Sequence, residues 1–139
     1  MHFETTVEIE APAEKVWATL LDVDRWPEWT ASVTKVERLT DGALAPAAKV
    51  RMVQPRLRPL VWEVTDLEPE RAFTWRADSP GLKIVATHDI RPGANNRVEV
   101  TLGVDQSGAL APVIGLFVSR TAKRYVEMEA AGLKHRCES

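Results

Sequence analysis

A histidine and a tyrosine among apolar neighbours are the residues of this sequence best suited to acid–base chemistry. The stretch GLKIVATHDI alternates, and the face that carries His88 also carries Leu82, Ile84, Ala86 and Ile90. A strand with this pattern turns the imidazole towards the core, where it can act as an acid, a base or a hydrogen-bond donor. Tyr125 lies on the apolar side of a long helical pattern. We therefore predict His88 and Tyr125 as candidate catalytic residues.

The sequence provides no evident carboxylate partner for His88. The inward faces drawn by alternation carry no paired carboxylates, and we find no HExxH, P-loop, GxGxxG or Ser/His/Asp pattern. Asp66 is the one acid that strict alternation turns inward, and its place at a strand end predicts that it is solvated. The alternative for His88 is a structural role, in which the ring bonds a backbone carbonyl or the long helix.

The elements that must position these residues follow from periodicity and turn signals. Alternation predicts a strand over 2–10, and the stretch APAEKVWATLL predicts a helix that ends near Asp22. RWPEW follows as a second, very short helix. Six further strands are predicted near 32–40, 47–54, 59–67, 71–78, 82–91 and 96–105, and their short connections make the pairing antiparallel. A long helix is then expected from beyond Gly108 to about Lys134, with Gly132 weakening its end.

This order predicts an α+β fold in which a seven-stranded curved antiparallel sheet wraps around the C-terminal helix. The apolar stripe of that helix is expected at Leu110, Val113, Ile114, Phe117, Val118, Thr121, Tyr125 and Met128, with Glu127 and Glu129 among the remaining positions. The 139 residues are expected to form a single domain.

Composition excludes several classes of function. The net charge of −2 lowers the expectation of a nucleic-acid partner, and the 45% apolar content argues against disorder. No apolar run reaches the roughly 18 residues of a membrane span, and the N-terminus does not resemble a signal peptide. We therefore expect a cytoplasmic protein with no stable membrane insertion. Cys137 is the single cysteine, which excludes an intrachain disulfide, and its place near the end predicts an exposed thiol. No cofactor or metal is predicted, and exposed edge strands make a homodimer plausible.

Three segments carry a resemblance to a known family. They are VEIEAPAEKVWATLLDVDRWPEWTASVTKVERL, then WEVTDLEPERAFTWRADSPGLKIVATHDIRP, and the closing long helix with GLK near its end. The chain resembles the START-like (helix-grip, SRPBCC) superfamily that also holds the Bet v 1 allergens, and within it the polyketide cyclase/dehydrase-like family. The resemblance implies a deep hydrophobic cavity between sheet and long helix, braced near its mouth by two short helices. Members bind lipids, hormones or aromatic polyketides, and some cyclise or dehydrate them.

The resemblance also suggests which residues line such a cavity. Trp26 and Trp29 look like a plug that packs the short helices against the sheet, and Trp29 is the one expected to lie nearer to a ligand. Together with Trp62 and Trp75, Trp29 would favour a flat aromatic or sterol-like ligand, unless the indoles simply fill a small core. The predicted ligand-binding residues are Trp29, Gln54, Trp62, Phe73, Trp75, Ile84, His88, Val100, Phe117, Thr121 and Tyr125.

Three hypotheses of function remain open from the sequence. The first is a protein that binds a small hydrophobic ligand, aromatic polyketide-like or lipid-like. The second is a polyketide cyclase or dehydratase that uses the same cavity by positioning its substrate, with proton transfer by His88 or Tyr125. The third is a lipid-transfer or partner-binding module. Basic residues near a predicted opening either attract an anionic head group or are solvated surface: Arg51, Arg56, Arg58, Arg120, Lys123 and Arg124.

Overall fold

The computed structural model describes the backbone of residues 1–139 and the side chains of all of them except 113–118. Its strands are β1 (His2–Ile9), β2 (Lys35–Arg38), β3 (Lys49–Val53), β4 (Leu60–Glu68), β5 (Ala72–Ser79), β6 (Leu82–Pro92) and β7 (Val98–Ser107). Its helices are α1 (Ala13–Leu21), α2 (Trp26–Trp29), which follows a single 3-10 turn at Val23–Arg25, and α3 (Ala111–Glu138).

The seven strands form one antiparallel sheet in the order β1-β7-β6-β5-β4-β3-β2. Consecutive strands from β2 to β7 are neighbours, and β1 closes the far edge by pairing with β7, with Ile9 opposite Val98. Helix α3 packs on β1 and β7, and α1 and α2 lie between β1 and β2 in sequence and contact α3. This arrangement confirms the predicted α+β helix-grip fold with its two short helices.

The two strands at one edge of the sheet, β2 and β3, are shorter than predicted. β2 covers only residues 35–38 and β3 only 49–53. The chain between them turns through positive φ angles at Gly42 and Ala47, so that these residues belong to a loop rather than to longer strands. A register irregularity between Val64 and Asp66 in β4 leaves Asp66 exposed, as predicted. Such bulges rotate the side chains that follow them relative to strict alternation.

Helix α3 is longer than predicted and presents a different face to the sheet. Its buried described residues are Ser119, Ala130, Leu133 and Cys137, with Ala122 and Val126 packed against the core. The predicted stripe through Thr121, Tyr125 and Met128 lies one position away from this face and is only half-buried, and Leu110 is exposed. The predicted positions Val113, Ile114, Phe117 and Val118 lie outside the described side chains.

The prediction of an exposed Cys137 is wrong. The helix continues to Glu138, and Cys137 follows Leu133 by one turn on the same face, so that only 1% of the residue is exposed. Removal from water raises the pKa of the Cys137 thiol, because burial disfavours the thiolate. The thiol is therefore a packing residue of the core.

Candidate functional site

A cavity of about 80 Å³ lies between the sheet and α3. Most of its described wall is apolar and comes from the inward faces of β3 to β7, with Trp26 of α2 and Ala122 and Val126 of α3. Six polar side chains interrupt this wall: Gln54, Thr87, His88, Gln106, Tyr125 and Glu129. A few polar groups on an apolar wall are typical of sites that orient a small molecule.

The register of the central strands explains how distant residues reach the same wall. Trp75 of β5 lies opposite Ala86 of β6, and Ala86 lies opposite Val104 of β7. His88 is flanked by Phe73 on one side and Leu102 on the other. Since side chains alternate along a strand, these paired residues lie on the same face of the sheet and project towards α3.

His88 is held between an aromatic ring and a carboxylate. It is 3% exposed, its ring stacks on Phe73 with centroids 4.0 Å apart, and its Nδ1 lies 3.2 Å from the Phe73 carbonyl oxygen. Its Nε2 lies 3.5 Å from Oε1 of Glu129, whose side chain is 14% exposed. The absence of a carboxylate partner expected from the sequence is therefore wrong, because Glu129 faces the sheet rather than solvent.

The contact with Phe73 determines which nitrogen of His88 carries a hydrogen. A carbonyl oxygen can only accept, so Nδ1 must carry the hydrogen that it donates to Phe73. Nε2, the other ring nitrogen, faces Oε1 of Glu129 at 3.5 Å without forming a hydrogen bond to it. The pair is a buried group able to give up or retain a proton.

Three residues of the cavity wall carry a buried polar atom with no hydrogen-bond partner among the described residues. These atoms are Nε1 of Trp62, Nε2 of Gln106 and Oε1 of Glu129. The amide oxygen of Gln106 lies 3.0 Å from Ser119 Oγ, which donates to it. Buried donors and acceptors are nearly always satisfied in folded proteins, so such a concentration requires an explanation.

Of the two tryptophans in α2, Trp26 borders the cavity and Trp29 does not. Trp26 is 1% exposed, donates from its indole to the Leu20 carbonyl at 3.0 Å, and packs at 5.3 Å from Trp75. Trp29 packs on Trp26 at 5.4 Å, is half-buried and lies beside Arg136. The described cavity wall thus contains Trp26 and not Trp29, the tryptophan expected to lie nearer to a ligand. Trp26 is the residue that packs α2 on the sheet.

The remaining predicted binding residues divide into two groups. Gln54, Trp62, Trp75, Ile84, His88 and Tyr125 line the cavity. Three others do not belong to the described cavity wall. Phe73 lies behind His88, Val100 is buried opposite Ile90 of β6, and Thr121 faces a surface cleft. Phe117 lies outside the described side chains.

Sequence reasoning missed Gln106 and Glu129, although a signal for each was present. β7 extends to Ser107, two residues beyond the predicted end, and the alternation of Val98, Val100, Leu102 and Val104 continues to Gln106. For Glu129, the spacing of Ala122, Val126, Leu133 and Cys137 indicates the buried face, and Glu129 lies on it. The bulkier Tyr125 and Met128 favoured the wrong helical phase.

A second depression, here called the basic cleft, opens beside the cavity on the outer surface. It is lined by Ala31, Pro55, Arg56, Arg120, Thr121, Arg124, Tyr125 and Met128 and has a volume of about 440 Å³. Tyr125 lines both the cavity and the basic cleft. Its hydroxyl donates to the carbonyl oxygen of Pro55, in the loop between β3 and β4. The tyrosine therefore stands at the boundary between the two spaces.

Comparison with known families identifies the class of protein. A family model described as "Polyketide cyclase / dehydrase and lipid transport" matches residues 1–138, and the chain belongs to this family. Among curated proteins, no sequence matches the chain significantly. The resemblance inferred from the sequence is thus confirmed, and the family supports a ligand-binding module in general.

Solved structures confirm the fold. The chain resembles a hypothetical protein from Helicobacter pylori, with 16% identity, a TM-score of 0.85 and coverage of 99% of this chain and 88% of that one. A START superfamily protein from Mycobacterium smegmatis is 20% identical, with a TM-score of 0.81 and coverage of 99% and 97%. The di-domain ARO/CYC protein BexL from the BE-7585A biosynthetic pathway is 17% identical, with a TM-score of 0.76, and the match covers 97% of this chain and 45% of BexL.

Among the described residues, no helix is both long and apolar enough to cross a membrane.

Proposed function

We propose that the protein binds a small, largely hydrophobic molecule in the cavity between the sheet and α3, and that polar groups on this molecule satisfy Trp62, Gln106 and Glu129. The observation that carries the proposal is the set of three unpartnered buried atoms on one apolar wall. Two of them donate hydrogen bonds, and the third belongs to the carboxyl group that faces His88. A complementary ligand therefore carries acceptors for the indole and the amide and a polar group for Glu129.

The size of the cavity limits how such a ligand enters. About 80 Å³ is well below the roughly 300–1,000 Å³ typical of ligand pockets. A ligand the size of an aromatic polyketide or a fatty acid therefore requires α3 to move away from the sheet, or must extend beyond the cavity.

A fluorescence titration tests the proposal directly. The purified protein is titrated with flat aromatic polyketides, sterols and fatty acids, and intrinsic tryptophan emission is followed. Saturable quenching by one class is expected, since Trp26, Trp62 and Trp75 line the cavity. No response to any class, in fluorescence or in calorimetry, would overturn the proposal.

A matched pair of variants localises the binding. Trp62 and Trp29 each carry a buried indole N–H without a described partner, but only Trp62 lines the cavity. Trp62→Phe should weaken binding by about 2- to 10-fold through the loss of one hydrogen bond, while Trp29→Phe should leave the dissociation constant unchanged. Equal effects of the two substitutions would show that binding occurs elsewhere.

A second candidate function, that of a cyclase or dehydratase, is favoured by the His88–Glu129 pair. Cyclisation and dehydration both require a proton to be removed from one atom and delivered to another, and an imidazole and a carboxyl group side by side at the cavity can carry out such transfers. Glu129→Gln should then abolish turnover of a bound polyketide-like substrate, while its effect on affinity stays within the about 2- to 10-fold expected for the loss of one hydrogen bond. Glu127→Gln, an identical change at an exposed position of α3, is the control. If the protein only binds its ligand, Glu129→Gln should lower the affinity, and neither the wild type nor the variant should show turnover.

A further inference from the structure

Three arginines line the basic cleft, and no acidic side chain accompanies them in its described wall. Arg120 and Arg124 come from α3, and Arg56 comes from the loop between β3 and β4. Seven arginines elsewhere in the described chain form ion pairs with carboxylates, and two others outside the cleft, Arg51 and Arg58, do not. The seven are Arg25, Arg38, Arg71, Arg76, Arg91, Arg97 and Arg136. None of the three cleft arginines does so among the described residues. Their positive charges are thus available to a ligand.

The placement of these arginines is unfavourable for the protein alone. Arg120 and Arg124 are four residues apart on one helix, a spacing at which like charges repel. Arg56 has a φ of +67°, a conformation that residues other than glycine, asparagine and aspartate seldom adopt. An anion between the three side chains would relieve the repulsion and accept hydrogen bonds from the guanidinium groups.

The basic cleft and the cavity adjoin through Tyr125. This residue lines both spaces, and its hydroxyl bonds the Pro55 carbonyl next to Arg56. Two successive turns of α3 therefore present Ala122 and Val126 to the cavity and Arg120 and Arg124 to the cleft. A molecule that enters past Tyr125 would place an apolar body against the sheet and leave its other end among the arginines.

We propose that the basic cleft binds the oxyanion head group of the ligand whose apolar part occupies the cavity. The ligand class is then an amphiphilic organic anion, with a carboxylate or phosphate on a hydrophobic body. This inference rests on the proposed function and adds to it the chemistry of the ligand. The cleft of about 440 Å³ has room for the head group, so that only the apolar part must enter the cavity of about 80 Å³.

Calorimetry with ligands matched in their apolar part tests the inference. Decanoate, decyl phosphate and decanol are titrated into the protein, with acetate and inorganic phosphate as head groups alone. Both amphiphilic anions should bind about tenfold or more tightly than decanol, since hydrogen bonds to charged groups are stronger than neutral ones. Their affinity should fall as sodium chloride is raised, and the affinity for decanol should not.

Substitutions separate the cleft from the general charge of the surface. Arg120→Gln and Arg124→Gln should each reduce the affinity for decanoate about tenfold while leaving the affinity for decanol unchanged. Lys123→Gln and Arg58→Gln remove one charge each from exposed residues outside the cleft wall and should have little effect. Thermal melting of each variant verifies that it is folded.

Each contrary result has a distinct meaning. If decanol binds as tightly as decanoate and Trp62→Phe weakens both, the cavity binds ligand as proposed and the head-group inference is false. If inorganic phosphate binds as tightly as decyl phosphate, the cleft is an anion site independent of the cavity, which also overturns the inference. If the anions bind only when presented in phosphatidylserine vesicles, the cleft recognises a lipid surface instead. If no probe binds here, the inference fails, and the proposed function fails with it only if the polyketides, sterols and fatty acids of the fluorescence titration do not bind either.

Discussion

Gly132 of α3 lies directly against the main-chain carbonyl of Trp29, so close that a β-carbon at residue 132 would overlap the carbonyl oxygen. This approach brings α2 onto α3 and holds Trp29 and Trp26 in place above the sheet. The sequence suggested that Gly132 weakens the end of the helix. The helix continues past it to Glu138, and the glycine is needed because no larger residue fits.

We expect Gly132→Ala to destabilise the fold by about 1–3 kcal/mol, the usual cost of overpacking. The direction of the change in the free energy of unfolding is informative. The same substitution at an exposed helical position normally stabilises a protein by about 0.5–1 kcal/mol, so a loss of stability would indicate the close contact. The free energy of unfolding in urea measures the effect. A variant as stable as the wild type, or more stable, would show that α2 and α3 are farther apart than described.

Burial of Cys137 predicts how stability responds to alkaline pH. The folded-state pKa of this thiol is raised by removal from water, whereas in the unfolded chain it ionises near 8.5. Its contribution is complete below the unfolded pKa and is lost as the pH rises towards the folded value, because the unfolded chain releases a proton that the folded chain retains. The free energy of unfolding should therefore fall more steeply between about pH 8 and 10 in the wild type than in Cys137→Ala.

A chemical measurement provides an independent check on Cys137. A thiol-specific disulfide reagent should react with the native protein at a small fraction of the rate seen in urea, because only 1% of the residue is exposed. Rapid reaction in the absence of denaturant would contradict the described position of the last turn of α3.

His2 is predicted to titrate above the usual range for histidine. Hydrogen bonds to Glu4 and Asp105 raise the pKa of His2, with Glu4 the larger influence. The resulting stabilisation is fully present below the unfolded pKa and disappears as the pH rises through the folded one. NMR titration in native buffer and in urea should give a higher pKa in the native protein, and Glu4→Gln should lower it. A native pKa equal to the unfolded value would refute both contacts.

The tautomer of His88 can be observed by nitrogen NMR. Its Nδ1 should be protonated in the wild type, because the Phe73 carbonyl opposite can only accept a hydrogen bond. In Glu129→Gln the side-chain amide can donate to Nε2, so we expect Nδ1 to remain protonated and Nε2 to resonate as an unprotonated ring nitrogen. Protonation of Nε2 alone would mean that the ring is turned the other way.

Alternation was the most dependable source of prediction for this chain. Side chains on a strand have a period of exactly two, so the inward orientation of Trp62, Trp75 and His88 followed from their apolar neighbours. In a helix, apolar residues at the spacing of 3 and 4 can be grouped into more than one neighbouring face. When these residues differ in size, as in α3, the pattern does not show which face is buried. This ambiguity is why Tyr125 was assigned to the core face and Glu129 to solvent.

The choice between Trp26 and Trp29 was beyond sequence patterns for a different reason. α2 contains only four residues, too few for a periodic signal, and both indoles have the same local chemistry. What separates them is the contact of Trp26 with Trp75 and of Trp29 with α3 near Gly132, which depends on residues far away in the chain. The unpartnered atoms of the cavity likewise depend on tertiary contacts.

The pairing of β1 with β7 has a consequence for how the protein is made. His2 and Asp105, which hydrogen-bond across these strands, are separated by 103 residues, so the ribosome must release nearly the whole sheet before its first strand finds a neighbour. The apolar face that α3 covers stays open still longer, until the last helix has emerged. Such distant pairing slows folding and leaves nascent chains prone to associate with one another. The interval between synthesis of β7 and docking of α3 is therefore when assistance by chaperones would matter most.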